Sequence, residues 1–185
     1  MTQLMENIKN RRSIRKYEER DIPEDMLKTL YESVQWAPSW ANTQCAELIV
    51  IKDTAIKTQL QECISPKNPA TKAIVNAPVV IAICGKMNQS GFYNGAVSTK
   101  YGDWFMFDLG LAAQNLCLVA HDLGLSTVIV GLFDHDRAQK VLNIPDSHSL
   151  VTLIPVGFPA KNPSPPKRKT LDDLVHIESF GKKVL

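Results

Sequence analysis

Three arginines and a serine stand within one short segment, Arg11-Arg12-Ser13-Ile14-Arg15, and form the densest group of chemically capable side chains in the sequence. Each guanidinium stays protonated and presents forked N–H donors, which suit a phosphate or an electron-rich ring. The small hydroxyl of Ser13 can donate to a phosphate oxygen. A lone arginine pair is usually a solvated turn, but here Arg11 and Arg15 flank the serine. The spacing therefore favours an anion site.

A second polar segment, Pro38-Ser39-Trp40-Ala41-Asn42-Thr43-Gln44, follows a helical pattern that ends at Pro38. It offers a hydroxyl, an indole and two amides, and it contains almost no aliphatic side chains. We predict a recognition loop. The alternative is a connection that only ends the helix, with Trp40 as a surface anchor.

In this order the two segments resemble the N-terminal signatures of the nitroreductase family of flavin mononucleotide (FMN) enzymes, Arg-x-Ser-x-Arg/Lys and Pro-Ser-x-x-Asn-x-Gln. The resemblance implies that Arg11 and Ser13 contact the FMN phosphate and ribityl chain, with Arg12 in the same site. It implies that Arg15 lies near the pyrimidine edge of the flavin. The loop is implied to meet the flavin of the partner subunit through Pro38, Ser39, Trp40, Asn42 and Gln44. The sequence departs from the pattern at Cys45, where a proline is usual.

The segment from Leu123 to Asp134 resembles the strand and turn beneath the flavin in this family. The resemblance adds Val130, Gly131 and Leu132 to the cofactor site, with the amides of Gly131 and Leu132 facing flavin N5 and O4. Glycine suits such a position because a missing side chain lets backbone approach a ring closely. An ordinary strand end is the alternative.

The run Lys167-Arg168-Lys169 resembles the basic C-terminal segment that completes the phosphate site. In an extended arm Lys167 and Lys169 would point the same way, so we predict these two as ligands in preference to Arg168. A solvated basic run is the alternative. Lys72 and Asn68 are further candidates for the polar edge of the flavin, although the match over residues 68–76 is ambiguous by a residue or two.

Four aromatic residues are candidate walls for a planar electron acceptor: Trp40, Phe92, Tyr93 and Trp104. Phe92 and Tyr93 lie in a connection, residues 85–100, that is long enough to face substrate. Each of the four could instead be a packing residue.

The elements that must position these residues follow from the apolar spacing. Helices are predicted over residues 3–10, from Ile22–Asp25 onward, over Thr54–Ile64 and Asp103–Leu123, and from about Asp136 to before Pro145. Strands are predicted at Ala46–Lys52, Pro78–Cys84, Ser126–Val130 and Leu150–Val156. The proline-rich residues 159–169 cannot be core and are predicted to be extended.

The amino-acid composition limits which classes of protein this sequence can represent. The 185 residues are 44% hydrophobic and 22% charged with a net charge of +2, which fits one folded domain and disfavours a nucleic-acid-binding protein. The sequence shows no signal peptide and no membrane-spanning run, so we predict a cytoplasmic protein. The four cysteines, Cys45, Cys63, Cys84 and Cys117, are then predicted to be reduced core residues.

The usual catalytic motifs are not found. The sequence has no Gly-x-Gly-x-x-Gly after a strand, no P-loop, no Gly-x-Ser-x-Gly elbow and no histidines at metal-ligand spacing. We therefore predict no metal and no catalytic side chain, because in a flavoenzyme the chemistry belongs to the cofactor.

The family resemblance implies a complete hypothesis. The fold would be α+β, a mostly antiparallel sheet flanked by helices, as one domain over residues 1–185 with an arm at 159–185. The small residues of the 103–123 helix suggest the interface of an intertwined homodimer that holds FMN at both interface sites. NAD(P)H would give hydride to flavin N5 and leave, and a nitroaromatic or quinone would then enter the same pocket, a ping-pong scheme. A flavin-binding protein without turnover is the alternative.

Overall fold

A four-stranded antiparallel sheet in the order β1-β2-β6-β5 lies at the centre of the computed structural model, which describes residues 1–183. The strands are β1 (Ala46–Ile51), β2 (Val79–Lys86), β5 (Ser126–Thr127) and β6 (His148–Gly157). A separate two-stranded hairpin consists of β3 (Phe92–Tyr93) and β4 (Ala96–Val97). The predicted α+β class and antiparallel sheet are confirmed.

Helices cover both faces of this sheet. They are α1 (Gln3–Asn10), α2 (Glu24–Gln35), α3 (Thr54–Glu62), α4 (Thr71–Asn76), α5 (Phe105–Asp122), α6 (His135–Val141) and α7 (Leu171–Leu174). Alternate residues of β2 point to opposite faces, so Val80 and Ala82 join a core with α3, α4 and α6, while Ile81 and Ile83 join a core with α2 and α5. Burial on both faces explains why β2 is a continuous apolar run.

The structure differs from the sequence-based prediction at four elements. Helix α4 was not predicted, helix α7 forms within the arm predicted to be extended, and the connection at 85–100 contains the β3–β4 hairpin. The strand predicted at Ser126–Val130 pairs regularly with β6 only at Ser126 and Thr127, after which Val130 alone bridges to Leu153. The chain leaves regular pairing there and forms a turn that faces a cavity described below.

Three further observations on the described residues concern the cysteines, the C-terminal arm and the helices. All four cysteines are unpaired and buried. Residues 160–170 are exposed and have no regular secondary structure, while residues 184–185 of the predicted arm lie outside the described part of the chain. Among residues 1–183, no helix combines the length and apolarity needed to cross a membrane.

Candidate functional site

The arginine cluster opens onto a cleft of about 320 Å³ that the C-terminal arm completes. Its lining residues are Arg11, Arg12, Ser13, Arg15, Pro163, Ser164, Pro166 and Arg168. The predicted cluster is therefore brought together on one surface. Four guanidiniums around one opening suit an anion with several oxygens, such as a phosphate.

An extended segment after α1 holds the cluster in place. Ser13 bridges to Thr127, and the Ile14 N–H donates to the Thr127 carbonyl at 2.9 Å. The Tyr17 hydroxyl donates to the carbonyls of Ile14 (2.7 Å) and Pro155 (3.1 Å), and burial raises the pKa of this phenol. Because side chains alternate along extended backbone, buried Ile14 leaves Ser13 and Arg15 on the other side.

The arginines of the cluster differ in what they already bind. Arg12 Nη1 donates to the carbonyls of Lys9 and Arg11 at the end of α1, which satisfies acceptors that a helix C-terminus leaves open. Arg15 Nη1 makes one long contact, 3.4 Å, to the Ser13 carbonyl. The guanidinium of half-buried Arg11 donates to no acceptor within residues 1–183. Burial, followed by the charges of Arg11 and Arg12, lowers the pKa of His121.

The arm places a different basic residue at the cleft from the two predicted. Arg168 lines it, whereas Lys167 and Lys169 are exposed and do not. The prediction assumed strand-like alternation, but this arm carries prolines at 163, 165 and 166 and has no regular secondary structure. Among the basic residues in the described part of the arm, Arg168 is therefore the one that lines the cleft.

A second, larger cavity of about 550 Å³ lies between α5 and the first half of β6. Gly131 and Ile129 line it from the turn after β5, and Gly110 and Ala113 line it from α5. A Cβ added to Gly131 would meet no atom within 4 Å, so its backbone faces open space. The cavity wall is mostly apolar, which suits a flat ring.

Backbone pairing fixes the turn that faces this cavity. The amides of Val130 and Leu153 each donate to the other's carbonyl at 3.0 Å, and Thr152 Oγ1 donates to the Val130 carbonyl at 2.9 Å. The Val130 side chain is buried in the core, so only its backbone is near the cavity, while Leu132 is 75% exposed. Asn68 Nδ2 donates to the Leu132 carbonyl at 3.4 Å.

A β-bridge connects the segment of the arginine cluster to the segment that leads to Gly131. Ser13 is bridged to Thr127, and Gly131 follows four residues later, at most roughly 13 Å along an extended chain. Lys72, by contrast, is exposed on the first turn of α4, and its side chain makes no hydrogen bond within the described chain.

The loop of residues 38–44 has a strained backbone. It contains a single 3-10 turn, Trp40–Asn42, and φ is positive at Ala41 (46°), Asn42 (55°) and Gln44 (52°). Positive φ is uncommon outside glycine and persists where surrounding contacts enforce it. Inside the loop, Ser39 Oγ accepts from the Gln44 N–H at 2.9 Å. Pro38, Ser39 and Gln44 line a cleft of about 240 Å³ against α2 and α5.

Asp108 was missed by the sequence-based prediction, yet it holds this loop. Its Oδ1 accepts from the Trp40 N–H at 3.0 Å, and its carboxylate also accepts from Ser90 and from Cys45. Burial, with the neighbouring charge of Asp108, raises the pKa of the Cys45 thiol to about 12. An acid in the first turn of a helix usually only complements the helix dipole, so the position of Asp108 in the sequence did not indicate this role.

The loop and the arginine cluster lie at opposite ends of α5. Asp108 holds the loop at the start of the helix, while Asn7 of α1 donates to Asp122 at its end, at 2.6 Å. The intervening helix is roughly 20 Å long at 1.5 Å per residue. Within one chain, the two predicted motifs therefore do not meet directly.

Three aromatic rings cluster just before and within the start of α5. The Trp104 ring lies edge-on to Tyr101 (centroids 6.2 Å apart) and to Phe107 (5.3 Å), and its Nε1 donates to Thr99 Oγ1 at 2.6 Å. A shallow cavity of about 290 Å³ lies beside them. Of the other predicted walls, Phe92 is half-buried and Tyr93 is 71% exposed on the hairpin, and Trp40 lies in the loop. Tyr101 and Phe107 were not predicted.

Comparison with known proteins gives one consistent result. The model of the nitroreductase family matches residues 8–158. A protein of Methanothermobacter thermautotrophicus, provisionally named NADH dehydrogenase/NAD(P)H nitroreductase, is 30% identical over 182 residues, covering 96% of this chain and 87% of that protein. The Bacillus subtilis FMN reductase [NAD(P)H] is 24% identical, covering 97% of this chain and 75% of the relative. The crystal structure of a nitroreductase family protein from Clostridium novyi NT is 28% identical with a TM-score of 0.77, covering 98% of this chain and 97% of that one.

Proposed function

The chain belongs to the nitroreductase family of FMN-dependent NAD(P)H oxidoreductases, and we propose that its acceptor is a small electron-poor aromatic compound, a nitroaromatic or a quinone. One observation carries the assignment of the site to this chain's residues. The Ser13–Thr127 bridge joins the segment that lines the four-arginine cleft to the strand that leads, four residues later, to the open turn at Gly131, which supports this assignment. A phosphate ester attached to a flat ring needs both features.

The cleft fits the phosphate end of FMN by its donors. Arg11 has an uncommitted guanidinium, Ser13 adds a hydroxyl, and Arg168 closes the opening from the arm. In this assignment Arg12 acts mainly on α1, because its Nη1 already donates to two carbonyls of that helix end. Arg15, exposed and on the same side as Ser13, is left to face the ring.

The apolar cavity fits the ring end. Because Gly131 has no Cβ, a planar group can approach the backbone of the turn. On the opposing surface of α5, Gly110 also carries no side chain, and a Cβ added there would meet no atom within 4 Å. Asn68 is close enough to the turn to offer an amide to the polar edge of the ring. When bound, FMN would supply the redox chemistry, hydride transfer between NAD(P)H and the acceptor. The chain's residues bind, orient and shield it.

We also propose a homodimer in which the loop at 38–44 serves the partner's cofactor. If two copies of α5 pack antiparallel about a two-fold axis, the start of one helix lies beside the end of the other. The loop held by Asp108 would then approach the partner's arginine cluster, which it cannot do along the roughly 20 Å of its own helix. Large apolar side chains exposed in this chain support such an interface: Met106, Phe107, Leu171, Leu174 and Phe180.

The experiment that tests the function is spectroscopic. The purified protein, supplied with FMN, should show a flavin absorbance band that NAD(P)H bleaches without air, and a nitroaromatic or benzoquinone should restore it rapidly. Failure to quench the fluorescence of added FMN would refute the cofactor site. Bleaching without reoxidation by either acceptor would support a flavin-binding protein without turnover. Sedimentation should show a dimer, and a monomer that retains full FMN would refute the shared site.

A further inference from the structure

A buried carboxylate connects three segments of the chain around the loop. Asp108 is 2% exposed, and its donors are the Trp40 N–H (3.0 Å), the Ser90 hydroxyl and the Cys45 thiol (3.5 Å). Among the described residues, it forms no ion pair with lysine or arginine. These donors and the first turn of α5 therefore provide the stabilisation that a buried carboxylate requires.

The loop needs an external support of this kind. Three of its residues have positive φ, and the hydrogen bonds inside it (Asn42 N–H and Gln44 N–H to Ser39, Thr43 N–H to the Trp40 carbonyl) join loop residues only to one another. The bond from the Trp40 N–H to Asp108 fastens its middle to a rigid helix. Without that bond, nothing polar among the described contacts joins the Trp40–Asn42 turn to α5.

The same network reaches the aromatic cluster. The Ser90 hydroxyl donates to Asp108, and the Ser90 carbonyl accepts from the Trp104 N–H at 2.9 Å. Ser90 is fully buried, so this link is shielded from water. One carboxylate is thus bonded to the backbone of Trp40 and, through Ser90, to the backbone of Trp104.

We propose that Asp108 is a positioning residue that fixes the loop at 38–44, and Trp40 relative to Trp104, in the geometry that receives flavin and acceptor. This inference rests on the proposed function for what the loop receives. Cys45 is part of this hydrogen-bond network. Its buried thiol is one of the three donors to the Asp108 carboxylate.

The test compares Asp108→Ala, Asp108→Asn and Leu116→Ala. Asparagine keeps an oxygen that can accept from the Trp40 N–H, and its amide can donate to the Ser90 oxygen, whereas alanine can do neither. Leu116 is fully buried on the same helix and makes no contact with the loop's hydrogen bonds, so its variant controls for lost stability. The readouts are hydrogen exchange of the 38–45 peptide in the purified protein and the dissociation constant of FMN.

We expect Asp108→Ala to speed hydrogen exchange of that peptide more than Leu116→Ala does at the same loss of melting temperature. In the same comparison, Asp108→Ala should raise the dissociation constant of FMN by about tenfold more. Asp108→Asn should stay within about threefold of wild type, since the loop's hydrogen bond survives. Equal exchange and equal FMN affinity in the alanine variant and the control would overturn the proposal. So would an asparagine variant as impaired as alanine.

The design separates this inference from the proposed function. If wild-type protein binds no FMN, the proposed function fails, while the exchange comparison still decides whether Asp108 holds the loop. If Asp108→Ala does not fold, Ser90→Ala and Cys45→Ala each remove one donor and keep the carboxylate. Exchange of the 38–45 peptide should then rise by a smaller amount, and wild-type exchange in both variants would count against the network.

Discussion

Replacing Arg11 by alanine should weaken the binding of FMN far more than the binding of riboflavin, because riboflavin lacks the phosphate. The prediction follows from the state of this guanidinium, which is half-buried at the cleft and donates to no acceptor within residues 1–183. All its donors are therefore available to a phosphate. A hydrogen bond to a charged group contributes about 1.5–3 kcal/mol, which corresponds to a loss of about 10-fold to 150-fold in FMN affinity.

The neighbouring basic residues provide graded comparisons. Arg12→Ala should have a smaller effect on FMN, because that side chain already donates to the carbonyls of Lys9 and Arg11, and its loss acts mainly on the end of α1. Arg168→Ala should fall between the two. It lines the cleft but is exposed, so solvent screens its charge, and a loss of about 2-fold to 10-fold is expected.

The assay is a fluorescence-quenching titration of each variant with FMN and with riboflavin, repeated at two salt concentrations. The matched control is the double variant Lys167→Ala/Lys169→Ala, which removes two exposed charges from the same arm without altering the cleft lining. If Arg11→Ala weakens FMN and riboflavin equally, the cleft does not bind the phosphate and the reasoning is refuted. If the double variant loses more FMN affinity than Arg168→Ala, the assignment from sequence alternation is correct and the one from the cleft is wrong.

Three further predictions concern the ring end and the core. Arg15→Ala should lower the two-electron potential of bound FMN by roughly 30–65 mV, because a charged hydrogen bond that favours the reduced ring by about 1.5–3 kcal/mol is lost. Dye equilibration measures this potential. An unchanged potential in a variant that still binds FMN would refute this role of Arg15. Gly131→Leu should leave the melting temperature of flavin-free protein unchanged, because its Cβ meets open space, while abolishing FMN quenching; a large loss of stability would contradict the open turn. Burial raises the pKa of the Cys45 thiol to about 12 and that of the Cys84 thiol to about 11, from the ordinary 9.0. The folded protein therefore keeps protons that the unfolded chain releases at high pH. The free energy of unfolding should fall from pH 9 to pH 11 by at most about 1.4 kcal/mol per pH unit for each thiol. Urea unfolding at pH 8 and pH 10.5 measures this, and Cys84→Ala should reduce the slope.

Local patterns were enough to predict most of the elements. The periodicity of residues 103–123 predicted α5 within two residues of its observed bounds, Phe105–Asp122. The hairpin at 92–97 carried a usable signal that was overlooked, since Asn94-Gly95 is a typical two-residue turn between short strands. Helix α4 is only six residues long and has no side-chain cap, so neither periodicity nor capping marks it.

What local patterns could not predict is which groups meet across the fold. The bridge from Ser13 to Thr127 joins residues far apart in sequence, and it is what connects the arginine cluster to the turn at Gly131. The family resemblance supplied that connection as an expectation, and the structure gives its physical cause, a backbone pairing fixed by buried Ile14. Residue types alone would have left two unrelated polar segments.

The role of Asp108 also depends on contacts across the fold that local sequence patterns could not predict. An acidic residue four positions into a helix is ordinary in sequence, because the first turn favours negative charge wherever the helix lies. Only its burial and its three donors, from segments that lie before it in the chain, distinguish a residue that organises the site from one that faces water. The departure at Cys45 from the pattern that the sequence resembles was visible beforehand, but the role of the thiol depends on the carboxylate to which it donates. If the loop serves the partner's flavin as proposed, Asp108 links the start of α5 in one subunit to the cofactor of the other, so FMN affinity and dimer stability should weaken together in Asp108→Ala.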